Sequence, residues 1–219
     1  MMKIEIWSDV VCPFCYIGKR KFESALAQFE NSNKIEVTWK SFQLDPNTKF
    51  KEGNTIYDNL ADSKGWTVDY AKNVTKQVVE MAKAEGLEFN FDKAIPANTF
   101  NAHRLIHLAA NHKLQEQAEE ALFKAYFIEG KNVEDTQTLI SIGLLIGLSQ
   151  DDLKKLFAGE AYTNDVENDI YEARQVGVKG VPFFVVDRKY AISGAQPVDV
   201  FLKTMERAWS EKPVENSVD

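Results

Sequence analysis

Hydrophobic and polar positions alternate near both ends of this chain and follow a helical period between them. Residues 3–7 (KIEIW) alternate polar and apolar with β-branched side chains, which reads as a strand, and residues 18–29 carry apolar positions at helical spacing. Residues 34–44 (KIEVTWKSFQL) return to alternation with Ile35, Val37, Trp39 and Phe42 as the inward set, so the chain opens β-α-β. Residues 45–54 are rich in turn formers and leave the sheet. From residue 55 to about residue 159 the pattern offers no convincing strand. Thr67 can cap a helix through residue 84 that turns Val74, Val78 and Met81 inward, with Gly86 as its stop. Further helices are predicted over 99–112, 114–128, 135–146 and 149–157, the last opened by Ser149 and Asp152 as a capping box. After a helix over 164–176, strand signal returns at 183–187 (FFVVD) and, past a tight turn at Asp187-Arg188, at 189–193 (KYAIS). A closing helix spans 198–209, and the polar residues 210–219 are expected to fray.

Composition narrows the function classes. With 219 residues and 44% hydrophobic content the chain can bury a real core. A formal charge of −7 argues against nucleic acid or an anionic membrane as the main partner, because both need clustered Lys and Arg. The longest apolar run, residues 139–148 (LISIGLLIGL), falls short of the ~18 residues of a membrane span. It reads as a buried helix or, if exposed, a dimer surface, so a monomer or homodimer is expected. The N-terminus enters a strand without a basic region, apolar segment and cleavage site, which predicts a mature cytoplasmic chain.

The candidate chemistry lies at the first strand-to-helix junction, where the only two cysteines, Cys12 and Cys15, flank Pro13-Phe14. Pro13 suits the first helical turn, where its missing N–H costs nothing, and so places Cys12 at the helix start. Unpaired N–H groups and the positive end of the helix dipole there favour a thiolate. Cys15, one turn on and on the same face, can reach the Cys12 sulfur. This predicts a redox pair with Cys12 as nucleophile and Cys15 as resolving thiol. Phe14, between them, is the one aromatic expected at the surface of the site. A zinc reading built on Cys12, Cys15, His103 and His107 is opposed by spacing, since about ninety residues separate the two pairs where compact zinc modules leave ~12–20. No metal is therefore expected. His103 and His107 read more simply as interior or rim residues, and Asn98 and Thr99 as caps of the helix that follows them.

Four stretches together resemble the DsbA-like oxidoreductases of the thioredoxin fold, and within them the FrnE-like branch. They are residues 8–18 (SDVVCPFCYIG), 98–104 (NTFNAHR), 177–184 (GVKGVPFF) and 192–196 (ISGAQ). The resemblance implies an α/β thioredoxin fold with a large all-helical insertion. Residues 1–54 and 160–210 would form the discontinuous thioredoxin-like domain, 55–159 the insertion and 211–219 a polar tail. It further implies a cis bond at Val181–Pro182, with that proline against the sulfurs and the insertion overhanging them. The Val181 main chain would then pair with an extended substrate as in strand addition. The implied site is Cys12 and Cys15 for catalysis, with Pro13, Phe14, Val181 and Pro182 for substrate and Asn98 and His103 as lesser candidates. The implied partner is a disulfide-containing peptide or protein, or a small-molecule thiol; no cofactor is tightly held, and glutathione is the candidate co-substrate. Related glutathione-dependent chromene-carboxylate isomerases and kappa-class transferases typically carry Ser at the position of Cys12. Both thiols here favour disulfide chemistry over an isomerase or transferase acting on a small aromatic or polyketide substrate. A non-enzymatic zinc-holding or binding module is the other alternative.

Overall fold

The computed structural model describes residues 1–212. Its chain runs β1 (Met2–Ser8), α1 (Pro13–Gln28), β2 (Ile35–Ser41), α2 (Ile56–Lys64), α3 (Val68–Ala84), α4 (Phe100–Asn111), α5 (Gln115–Lys124), α6 (Thr136–Leu145), α7 (Gln150–Ala158), α8 (Thr163–Gln175), β3 (Phe183–Val186), β4 (Tyr190–Ser193) and α9 (Val198–Ser210). The sheet order is β2-β1-β3-β4, with β1 parallel to β2 and the other two pairings antiparallel. Residues of period two decide the layers. Met2, Ile4 and Ile6 meet Phe22, Phe201 and Met205 of α1 and α9 on one face, while Trp7 and Val185 meet Ala173 and Val178 on the other. This is the α/β thioredoxin fold with a helical insertion that the motifs imply.

A third core fills the insertion, around Leu105, Phe123, Phe127, Leu139 and Leu153. Val10, Cys12, Cys15, Tyr16 and Ile17 belong to it. The first turn of α1 is thus buried in the helical block rather than in the sheet's own core. Tyr16 anchors the joint, stacked on Phe123 at 4.9 Å and on Phe89 at 5.8 Å, with its hydroxyl donating to Glu120 at 2.7 Å. Such aromatic pairs contribute about 0.5–1.5 kcal/mol each beyond their burial.

Several local features depart from the pattern reading. α2 was not foreseen, although Thr55 and Asp58 form a reciprocal capping box and Gly65 closes the helix at φ +68°. Its apolar face is too short to register as a period. In α3, Met81 is 44% exposed and the buried stripe is Ala71, Thr75, Val78 and Ala82. Three of these four inward residues are Ala or Thr, which a reading weighted by side-chain bulk misses. The helix predicted over 114–128 changes at Lys124 into a π-helical turn, Ala125–Glu129, that carries Tyr126 and Phe127 inward and ends at Gly130. The Leu139–Leu148 region divides: Leu139, Ile142 and Leu148 are buried while Leu144 and Leu145 are exposed. The expected fraying does not begin at residue 210: Lys212 donates to the Met1 carbonyl and pairs with Asp187 at 3.3 Å. Residues 213–219 of the tail lie outside the described residues. Among the described residues no helix is long and apolar enough to cross a membrane.

Candidate active site

β1 ends at Ser8, and a tight turn delivers the cysteines. The Cys12 N–H donates to the Asp9 carbonyl at 2.9 Å, and the Cys15 N–H to the Cys12 carbonyl at 3.0 Å. Cys12 is the N-cap of α1, in extended conformation at φ −92°, ψ 111°, and Pro13 fills the first helical position. Both thiols are free and buried, Cys12 at 3% exposure and Cys15 at 1%. Phe14 between them is 38% exposed.

Opposite them stands the segment entering β3. The Cys12 thiol donates to the Val181 carbonyl at 3.4 Å, and the Val181–Pro182 bond is cis. The Pro182 carbonyl is held by the Gly194 N–H at 2.8 Å. The Val181 N–H has no partner among the described residues. Gly18 of α1 makes this approach feasible, because a Cβ there would lie 3.0 Å from Pro182 Cγ. Two segments about 170 residues apart in sequence thus meet at the sulfurs. On the other flank a cavity of about 280 Å³ opens between α2 and the chain leaving β2, lined by Val11, Leu44, Ile56, Leu60 and Tyr126 among others.

Behind Cys15 the surroundings turn polar but stay buried. Burial first, then the neighbouring Cys12 sulfur, push the Cys15 thiol well above the usual range, partly offset by the Asp9 main-chain N–H and the Ser8 hydroxyl. The Asp9 carboxylate is wholly buried; its Oδ2 accepts from the Leu44 N–H at 2.7 Å and its Oδ1 lies 3.5 Å from His103 Nε2. Glu119, from α5, is buried too, and desolvation lifts it to about 8, opposed by Lys19 and aided by the Asp9 charge. Burial also raises the Tyr126 hydroxyl, again with help from Asp9. Lys19, 2% exposed, is tied to Glu23 and, at 2.9 Å, to Glu120.

The structure separates residues that the sequence set side by side. His103 and His107 sit one turn apart on α4 but face different carboxylates, Asp9 and Asp169, the latter at 3.0 Å. Among the described residues no group of three or more His, Cys, Asp or Glu is placed to hold a metal ion. His107 also lies 3.1 Å from Ser41 Oγ. Because serine and aspartate approach the same Nε2, the trio is not a nucleophile relay, which needs the two ring nitrogens on opposite partners. It joins the ion network of Lys40, Asp169, Glu172, Glu5 and Arg188 across the α8 face of the sheet. Asn98, rather than Thr99, accepts the Phe100 N–H at the start of α4, at 2.9 Å. The Asn98 amide also donates to the carbonyls of Pro46 and, at 3.4 Å, Thr48, so it pins the loop that walls the cavity. Ser8, Asp9, Lys19 and Glu119 escaped the sequence reading as site residues. Ser8 and Asp9 open the 8–18 motif itself, whereas Glu119 stands among other acids of α5 with nothing local to single it out.

Comparison with known proteins agrees with this fold. The model of the DSBA-like thioredoxin domain matches residues 3–206. A probable DsbA oxidoreductase of Streptomyces coelicolor is 35% identical in sequence, with TM-score 0.92 over 100% of this chain and 94% of that one. The uncharacterized protein YwbO of Bacillus subtilis is 26% identical over 217 residues, covering 95% of this chain and 98% of that protein. The cytosolic disulfide reductase DsbM of Pseudomonas aeruginosa, solved with GSH, shares the fold at 16% identity, TM-score 0.66, with 94% and 99% of the two chains covered.

Proposed function

This chain belongs to the DsbA-like thioredoxin domain family, and on that footing we propose that it is a cytoplasmic thiol–disulfide oxidoreductase working through Cys12 and Cys15. The observation that carries the reading is the facing of Cys12 and Val181 at 3.4 Å across the helix start, with a second free thiol one turn behind. The Cys12 thiolate attacks one sulfur of a substrate disulfide, the other substrate sulfur leaves as a thiolate that takes its proton from solvent, and a mixed disulfide forms. Cys15 then attacks Cys12 Sγ, releases the second substrate thiol and closes the Cys12–Cys15 disulfide. The protein has lost two electrons and the substrate has gained them. A small-thiol pool, with glutathione as co-substrate, returns the pair to the dithiol.

Docking falls to the strand entry. The Val181 N–H is unengaged and its carbonyl is freed when Cys12 ionises, so an extended substrate can pair there with Phe14 and Pro182 alongside. A chain with two cysteines, both placed in one turn, spends none on structural staples, which supports a reducing compartment. The test is reduction of insulin or exchange with glutathione disulfide. Cys12→Ser should abolish both, and unchanged activity in that variant overturns the mechanism.

A further inference from the structure

Away from the redox turn, a groove of about 630 Å³ is lined by residues of α1, α5 and the last residue of α6. It shares no residue with the cavity beside Val11. Its charges balance, with Lys19, Arg20 and Lys124 set against Glu23, Glu116 and Glu120. Such a lining presents no single-sign field to a polyanion or a polycation. At its edge stands Leu145, 78% exposed and the most exposed of the large apolar side chains among the described residues, with Leu144 next to it.

Four of the six charges already serve the chain itself. Lys19 and Arg20 are tied to Glu23 and Glu120, with Lys19 to Glu120 and Arg20 to Glu23 each at 2.9 Å. Glu116 and Lys124 are spent differently. Their side chains are 67% and 60% exposed, and each only approaches an opposite charge, Glu116 at 3.8 Å from Lys19 and Lys124 at 4.0 Å from Glu129. They lie eight residues apart on α5, about 12 Å along its axis, the acid in the first turn and the base in the last. Glu120 and Ala121 fall midway between them and line the same groove.

This arrangement is its own complement. A second α5 laid antiparallel on the first, about a two-fold axis near Ala121, brings Glu116 of each copy to the partner's Lys124 and sets the two helix dipoles head to tail. Ala121 at the midpoint has no side chain beyond Cβ to hold the helices apart. We propose that this groove is the face through which two copies of the chain associate, α5 against α5, with Glu116 and Lys124 paired across the two-fold axis and Leu145 covered by the partner. The groove's nine residues are fewer than the ~20–30 a side of a standard interface, so the dimer is reversible, with a dissociation constant on the order of 10 μM. Cys12, Phe14 and Val181 take no part in the groove, and the redox site of each copy stays open.

The test is sedimentation of the full chain under reductant, which removes intermolecular disulfides, from about 1 to 500 μM. The wild type should pass from the 24.9 kDa monomer toward twice that mass. A monomer throughout overturns the inference. Glu116→Lys and Lys124→Glu, each alone, should raise the dissociation constant at least tenfold, because the two-fold axis sets like charges against each other twice. Net repulsion between acidic chains predicts the opposite for Glu116→Lys, which lowers the formal charge from −7 to −5 (−7 + 2). Mixing the two variants in equal amounts should restore a dimer within about threefold of the wild-type constant, since one chain then offers lysine at both positions and the other glutamate. Restoration requires both variants to be folded, so it separates a lost contact from a lost fold. Leu145→Asp should weaken association at least tenfold, while Tyr171→Ser, at an exposed aromatic of α8 outside the groove, should leave it within about twofold. A wild-type constant in either charge variant or in Leu145→Asp, or no recovery on mixing, overturns the proposed face.

Discussion

Glu119→Gln is expected to stabilise the protein by an amount that grows with pH. The Glu119 carboxyl is 1% exposed and one of its oxygens has no partner. Burial lifts it from an ordinary 4.5 to about 8, against the pull of Lys19 and with the Asp9 charge assisting. An acid held above its unfolded value binds its proton more tightly in the folded state. The stability it contributes is therefore fully present below about pH 4.5 and is lost as pH rises toward 8. At 1.36 kcal/mol per unit, the folded chain gives up about 3 kcal/mol by pH 7 and about 4 kcal/mol by pH 8. Glutamine has the shape of the protonated acid and does not titrate. Urea unfolding of both proteins should show a gap under about 1 kcal/mol at pH 5 that widens to about 3 kcal/mol at pH 7 in favour of the variant, with equal slopes in denaturant. Stability curves that run parallel across that range refute the assignment of Glu119 as a carboxyl kept neutral by its burial.

Gly18→Ala places a methyl 3.0 Å from Pro182 Cγ and 3.5 Å from Ala195 Cβ; it should cost about 1–3 kcal/mol in thermal unfolding and lower disulfide exchange, whereas an unaltered rate would mean that the Pro182 segment does not need its close seat on α1. Asp169→Ala removes the acceptor shared by His107, Lys40 and the Ser41 N–H, with an expected loss of about 3–5 kcal/mol. Burial would raise the Asp169 carboxyl, but those three donors hold it below its ordinary value, so its contribution is present at neutral pH and fades in acid, where wild type and variant should converge in denaturant melts. Phe14→Ala, at a side chain 38% exposed, should shift stability by less than about 0.5 kcal/mol while raising KM for a peptide disulfide; an unchanged KM would remove Phe14 from the docking surface.

The sheet was legible because its strands announce themselves twice, by alternation and by the turns that bound them. FFVVD is a buried strand, as its apolar weight suggests, whereas KIEIW alternates in sequence yet also buries its polar Glu5. The Asp187-Arg188 turn appears with both residues at positive φ, closed by the Lys189 N–H on the Val186 carbonyl at 3.0 Å. Cys12, Pro13 and Cys15 stand where a proline in the first turn must put them. Legibility ends where contacts are long-range and single. Asp9 reads as an ordinary turn residue until His103, some ninety positions later, is folded against it. Glu119 sits in a helix beside Glu116 and Glu120, and no period distinguishes the buried acid from its solvated neighbours. The burial of Cys12 also escaped pattern, because it depends on the Val181 carbonyl arriving from the far end of the chain.

That division has a physical consequence for how the insertion should be regarded. Helices joined to a thioredoxin-like sheet by surface contacts alone would shape a groove and leave the thiols' chemistry to the sheet. Here the first turn of α1 is part of the insertion's own core, and Tyr16 locks it there through Phe123, Phe89 and Glu120. Arg20 extends the lock by pairing with Glu120, whose carboxyl it holds down at about 2 against the upward push of burial. Cys15 shares one core with buried residues of 87–127, and α4 of the same block brings the His103 ring to Asp9. Loosening this core, for example with Phe123→Ala, should admit water to Cys15 and bring its thiol back toward the ordinary range, which thiol titration would read. The helical block thus sets the burial of Cys15, while the sheet contributes the helix start and the strand entry that face each other at Cys12.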